Sequence, residues 1–160
     1  MAAASGRSSL NPGTPDTWSG VTGNWSVASN GNNGEPGANS DVTIYSGGSD
    51  YLSLDVGSTT INSLTLGGVA NGFNSQLSDA GTNQTLNITN ALNVGQNGYL
   101  QLTGATSTLT AGADSVNAGQ IYLYNGASLT INGNFDNKYV AQAENGTSEI
   151  NVSGTLTNES

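Results

Sequence analysis

With 160 residues the chain has the length of one ordinary domain, but only 34% of it is hydrophobic, well below the ~45–50% that builds a thick globular core. Its net charge of -9 is carried by charged residues amounting to only 8% of the chain, and the apolar residues recur in short alternating runs that disordered segments lack. Only Arg7 and Lys138 are basic, which argues against nucleic acid, anionic membrane surfaces and acidic polysaccharides as partners; no apolar run approaches the ~20 residues that a membrane-spanning helix needs.

From Met1 to Asp16 the chain is small and polar, with Pro12, Gly13 and Pro15, and is expected to be a flexible or strand-donating arm. Residues 17–160 are expected to form one domain. Within it, 17–40 holds both tryptophans, Trp18 and Trp25, and the turn-rich stretch Asn30 to Gly37, and is read as a cap or entry coil. After Asp41 the pattern becomes pairs of apolar residues separated by one residue: Val42 and Ile44, Leu52 and Leu54, Leu64 and Leu66, Leu86 and Ile88, Leu100 and Leu102, Ile121 and Leu123, Leu129 and Ile131, Ile150 and Val152. That period of two marks short half-buried strands. Turn signals lie between them at Gly47-Gly48, Gly67-Gly68, Asn71-Gly72, Asn97-Gly98, Asn125-Gly126, Asn132-Gly133 and Asn145-Gly146, and helix-forming stretches are missing.

A longer period lies over the short one. Similar segments begin at Leu64, Leu86, Leu109, Leu129 and Ile150, at separations of 22, 23, 20 and 21, and Leu100 and Ile121 also repeat at 21. Different faces therefore advance together, as successive coils of a solenoid do. The prediction is an all-β parallel β-helix (β-solenoid) with about 21–22 residues per coil and neighbouring coils ~4.8 Å apart. The alternative is an antiparallel β-sandwich, whose strands also recur every ~8–12 residues; the Thr, Ser, Asn and Gln flanking most strands favour the solenoid, because such side chains stack on themselves in parallel ladders.

The segment Trp18-Ser19-Gly20, Gly23-Asn24-Trp25, Asn30, Pro36-Gly37 and Asp41-Val42-Thr43-Ile44 resembles the opening motif of bacterial autotransporter-like passenger proteins and related extracellular repeat proteins. Their motif often places another Trp after the residue matching Asn30, where this chain has Gly31. The resemblance implies a right-handed β-helix, secretion to the bacterial surface or beyond, and a role in adhesion, surface coating or a matrix.

With no His and no Cys, the usual nucleophile-base pairs and transition-metal sites cannot be assembled, and no cofactor is expected. Asp114 and Asp136, 22 apart, could lie one coil apart as a glycosidase-like or Ca²⁺-binding pair, though solvated turn aspartates are the plainer reading. An EF-hand reading of Asn132, Asn134 and Asp136 fails, since Asn137 stands where the loop needs Gly and Ala143 where it needs Glu. Trp18, Trp25, Tyr45, Tyr51, Tyr99, Tyr122, Tyr124 and Tyr139 are candidates for a sugar-stacking strip, with Trp18 and Trp25 better explained as plugs of an open core.

Ile150, Val152 and Leu156 still belong to the repeat as the chain reaches Ser160, so the last coil is expected to present unpaired strand edges. Trp18, Trp25, Ile150, Val152 and Leu156 are accordingly the capping and assembly candidates. The resulting expectation is a non-enzymatic extracellular protein that joins head to tail with copies of itself into a fibre or matrix filament. The alternatives are an adhesin or carbohydrate-binding module acting on surface glycans and, last, a polysaccharide hydrolase or lyase using Asp114 and Asp136.

Overall fold

A computed structural model describes residues 13–18, 22–45, 49–68 and 74–159. They wind into a β-solenoid of about six coils. Strands β1 (Thr14–Thr17) and β2 (Thr22–Asn24) open it, followed by a single 3-10 turn at Ala28–Asn30. Coils are then laid down as strand triplets: β3 (Ser40–Ile44), β4 (Asp50–Ser53) and β5 (Ser58–Ile61); β6 (Ser63–Leu66), β7 (Ser75–Ser78) and β8 (Thr85–Ile88); β9 (Leu92–Val94), β10 (Gly98–Leu102) and β11 (Thr108–Ala111). The last triplets are β12 (Ser115–Asn117), β13 (Gln120–Leu123) and β14 (Ser128–Ile131), then β15 (Phe135–Asn137), β16 (Val140–Ala143) and β17 (Glu149–Val152), before β18 (Leu156–Asn158).

Each strand pairs with its counterpart one coil away, always in parallel. Three sheets result: a first of order β1-β3-β6-β9-β12-β15-β18, a second of order β2-β4-β7-β10-β13-β16, and a third of order β5-β8-β11-β14-β17. The period-two pattern decides which side chains enter. Leu100 and Leu102, Ile121 and Leu123, and Leu129 and Ile131 are buried between the sheets, while Gln101, Tyr122 and Thr130 between them point outward and are partly exposed. Parallel pairing then aligns like with like. Leu52, Leu77, Leu100 and Ile121 form one column, and Leu86, Leu109, Leu129 and Ile150 another.

Two expectations need correction. Leu64 does not stand in the column of Leu86: it pairs with Val42 and Leu92 in the first sheet, and Thr59 occupies the place before Leu86. The coil length of 21–22 suits the later coils and the early step from Val42 to Leu64, 22 residues, but not the other early steps. Gly23 to Leu52 spans 29 residues, Thr59 to Leu86 27 and Leu64 to Leu92 28, whereas Leu109 to Leu129 spans 20 and Leu129 to Ile150 21. Longer corner loops in the early coils absorb the difference without disturbing strand register. The arm boundary also falls inside a strand, since Thr14 to Asp16 pair with Ser40 to Val42. Residues 1–12 of the expected arm, and the Gly47-Gly48 and Asn71-Gly72 turns, lie outside the described residues.

The Asn-Gly signals that would close hairpins in an antiparallel protein turn corners here. Asn125 and Gly126 have φ of 57° and 101°, and Asn145 and Gly146 have 61° and 93°, the left-handed geometry that Asn and Gly tolerate best. At equivalent places one coil apart, they redirect the chain from the second sheet to the third.

Polar residues also stand in the inward columns. In the first sheet Trp18, Ile44, Leu66 and Val94 are succeeded by Asn117, Asn137 and Asn158. Asn117 Nδ2 donates to Asn137 Oδ1 at 2.7 Å and Asn137 Nδ2 to Asn158 Oδ1 at 3.0 Å, a self-satisfying ladder that removes the cost of burying amides. A shorter ladder holds another corner, where Asn90 Nδ2 donates to Asn62 Oδ1 and Asn62 Nδ2 to Asp41 Oδ1, both at 2.7 Å.

Asp79 is the most demanding of these groups. It is wholly buried, level with Leu102 on the neighbouring strand. Its carboxylate accepts from the amides of Gly81, Thr103 and Gly104 and from the hydroxyls of Thr103 and Ser107, the last at 2.5 Å. Burial alone would raise its pKa, but the Ser107 hydroxyl and the amides of Gly104, Gly81 and Thr103 outweigh it and hold the acid below its ordinary 3.8. A carboxyl depressed in the folded state stabilises fully above its unfolded pKa, and that contribution is lost as pH falls through the folded value. Asp79→Asn is thus expected to lower the unfolding free energy by at least about 2 kcal/mol at neutral pH. In urea titrations the gap from the unaltered protein should narrow as pH drops below 3.8; a gap independent of pH would refute the assignment.

Candidate functional site

Outward side chains are the ones free of packing duties, and the three faces differ in what they present. The third sheet carries small polar rows such as Asn87, Thr110, Thr130 and Asn151. The first carries Thr43, Thr65, Asn93, Val116, Asp136 and Thr157. The second is aromatic. Its register places Tyr51, Gln76, Tyr99 and Gln120 in a single row, one per strand, across β4, β7, β10 and β13.

A groove of about 620 Å³ follows this row. Tyr51 and Tyr139 stand toward its two ends, 46% and 52% exposed, with Tyr99 between them. Gly98 and Gly119 form part of the floor, and Asn74, Gln96 and Asn97 flank it. Among the described residues none that lines it is charged. A Cβ on Gly98 would strike the Leu66 carbonyl oxygen, and one on Gly119 the carbonyl oxygens of Gly95 and Gly98, so close inward packing between coils keeps both positions glycine.

Beyond the groove the tyrosines continue. The rings of Tyr99 and Tyr122 lie 5.4 Å apart, tilted by 34°, and those of Tyr122 and Tyr124 are stacked at 6.2 Å and 10°. Burial raises the phenol of Tyr99, assisted by Tyr124, Tyr122 and Glu144; burial and then the Glu144 carboxylate raise that of Tyr124. Both stay protonated through ordinary pH, able to donate as well as accept.

The capping candidates fall at opposite ends. Trp18 and Trp25 are buried at 4% and 1% exposure. The Trp18 amide donates to Thr43 O and that of Trp25 to Ser53 O, so each indole heads an inward column, above Ile44 and Leu54 respectively. Their Nε1 atoms are buried without a hydrogen-bond partner among the described residues. At the other end Ile150 and Val152 pack partly against the core, while Leu156 is 56% exposed.

The carboxylates are not brought together as a pair. Asp114 Oδ1 accepts from the Asn134 amide at 2.8 Å and its Oδ2 from Asn134 Nδ2 at 3.2 Å. Asp136 stands opposite Val116 and ion-pairs with Lys138 at 3.1 Å. One is a corner clamp, repeated where Asn134 Oδ1 accepts from the Thr155 amide, and the other belongs to a strand face. Among the described residues no cluster of three or more acidic side chains could hold a metal ion, and no helix is long and apolar enough to cross a membrane.

Reading residues singly located most of the groove tyrosines but missed the intervening glutamines. Gln76 and Gln120 mean nothing until parallel register sets them beside Tyr51 and Tyr99. Trp18, Trp25 and Tyr124 do not line the groove. No known family, curated protein or solved structure matches the chain.

Replacing Glu144 by Gln should lower the titration midpoint of Tyr124, because the nearby negative charge opposes phenolate formation. Ultraviolet absorbance titration of Glu144→Gln against a Glu144→Gln/Tyr124→Phe variant isolates that phenol. An unchanged midpoint would mean that the carboxylate does not act on it.

Proposed function

We propose that the protein is a non-enzymatic extracellular structural subunit whose solenoids join head to tail into a fibre or matrix filament. The observation that carries this reading is the arrangement of sheet edges. The first and second sheets begin in β1 and β2 and the third one coil later in β5, and they finish in β18, β16 and β17. The two ends are therefore different surfaces that complement each other in strand direction, the condition for a heterologous contact that propagates instead of closing. A second copy docked there repeats the coil-on-coil contact already used throughout the chain, with main-chain hydrogen bonds supplying the join, although at β1 it must displace Asn32 and Asn33, which already bond to the Thr17 amide and to the Thr17 and Pro15 carbonyl oxygens.

Side chains support the same contact. The inward columns at β17 and β18 hold Ile150, Val152 and Leu156, the last 56% exposed, and apolar surface beside a sheet edge favours association. At the other end Trp18 and Trp25 are buried and close the core, so the opposite contact rests on the backbone edges. The likeness of the Trp18 to Ile44 segment to autotransporter-like passengers supports an extracellular bacterial setting. Asp114 and Asp136, engaged with Asn134 and Lys138, lend no support to hydrolase or lyase chemistry.

Light scattering after size exclusion, with electron microscopy of the same fractions, tests the assembly. The 160-residue chain is expected to form concentration-dependent linear species one solenoid wide. Ile150→Lys combined with Leu156→Lys should abolish them while leaving the circular dichroism of a folded β protein. A monomer that persists at high concentration without fibres would overturn the proposal.

A further inference from the structure

Going beyond the assembly reading, we infer that the Tyr51-Gln76-Tyr99-Gln120 row is a binding strip for a neutral, unbranched glycan chain of the extended β-1,4-linked kind, laid along the solenoid axis. Three observations converge on that ligand.

The first is spacing. Adjacent parallel strands stand ~4.8 Å apart, which puts Tyr51 and Tyr99, two strands apart, at ~9.6 Å along the axis. In an extended β-1,4-linked chain successive rings are flipped, so each disaccharide unit presents the same ring face once, and that unit is close to two strand spacings long. Alternating aromatic and amide rungs match this alternation. Tyr51 and Tyr99 stack on the apolar faces of every second ring. Gln76 and Gln120, each a donor and an acceptor, meet the hydroxyls of the rings between.

The second is shape. The groove is neither a closed cavity nor a flat face, and its lining includes Gly98, Ala118 and Gly119, which carry little or no side chain. A chain can enter from the side and continue past either end, unlike a molecule held in a closed cavity. Tyr139, beside the Val140 that pairs with Gln120, extends the aromatic series to the far end.

The third is charge. With no charged residue among the described residues of its lining and a net charge of -9 on the chain, the groove provides no cation for uronate, sulfate or phosphate groups. Single-stranded nucleic acids also stack on aromatic strips, but those strips lie in positively charged grooves. Uncharged sugar hydroxyls are what phenols and side-chain amides can satisfy.

Isothermal titration with soluble oligosaccharides tests this. Cellohexaose is expected to bind at least about tenfold more tightly than cellobiose, because only the longer chain spans both stacking rungs. It should also bind more tightly than maltohexaose, whose α-linkages curl it away from a straight strip. Tyr51→Ala and Tyr99→Ala should each weaken cellohexaose about five- to tenfold, whereas Tyr124→Ala, outside the groove, leaves binding unchanged. Tyr51 is half exposed, so its truncation is not expected to disturb folding, and the melting temperature of each variant checks this. Absence of cellohexaose binding, equal affinity for cellobiose or maltohexaose, or indifference to Tyr51→Ala would each overturn the inference. Running the titration on the Ile150→Lys/Leu156→Lys chain keeps the outcome separate from that of self-assembly.

Discussion

Parallel in-register stacking of one coil on the next is the constraint on which everything else in this molecule depends. Once Leu100 lies beside Leu77 and Ile121 beside Leu100, each residue has as its lateral neighbours the same position of adjacent coils. Two kinds of side chain profit. Apolar residues fill a continuous narrow interior, and amides such as Asn117 and Asn137 bond to their own kind at the repeat distance. A chain with a third of its residues hydrophobic can thereby bury backbone that a globular domain of the same composition would leave in water, because the sheets themselves satisfy it.

Legibility in the sequence follows from the same constraint. The inward pairs at Leu100, Ile121 and Leu129 were readable because period two is written locally, and the coil period was readable in the later coils because corner loops there hardly vary. It failed at Leu64. The loops between Leu64 and Leu92 are long enough to break the count, and the short Leu-Thr-Leu run of the first sheet mimics the Leu-Thr-Ala and Leu-Thr-Ile runs of the third. Local similarity identified a strand but not its sheet. The Asn117, Asn137 and Asn158 ladder was visible in principle as a spacing of 20 and 21, but in a chain this rich in Asn that signal does not rise above composition. Asp79 was hidden altogether, since nothing local separates a buried carboxylate clamped by five donors from a solvated turn aspartate.

Buried polarity explains how a repeat with so little chemical variety keeps its register. A leucine column tolerates a slip of one coil, because leucine meets leucine either way. Asp79 does not: its donors come from its own turn and from Thr103, Gly104 and Ser107 one coil later, and no other corner offers that set. The Asp41-Asn62-Asn90 ladder and the Asp114-Asn134 clamp act in the same manner at other corners. Such groups carry a desolvation cost that only the correct neighbour offsets, so they discriminate between registers that apolar packing would leave equivalent.

The outward rows are held to no such rule, and that is where the molecule departs from uniformity. Any small polar residue can cover a sheet face, and the third sheet carries Thr, Ser and Asn outward at every strand position but Glu149. Large aromatic rings facing outward on the second sheet contribute little to the core, and they occur at Tyr51, half exposed, and Tyr99, partly buried, with amides on the alternate strands. Stacking inside the solenoid specifies a rung spacing, and whatever lies against an outer row must match that spacing or its double. On the inference drawn above, the constraint that builds the fold would also measure the ligand: a periodic surface selects a periodic polymer, and the two-strand interval between Tyr51 and Tyr99 would set its repeat.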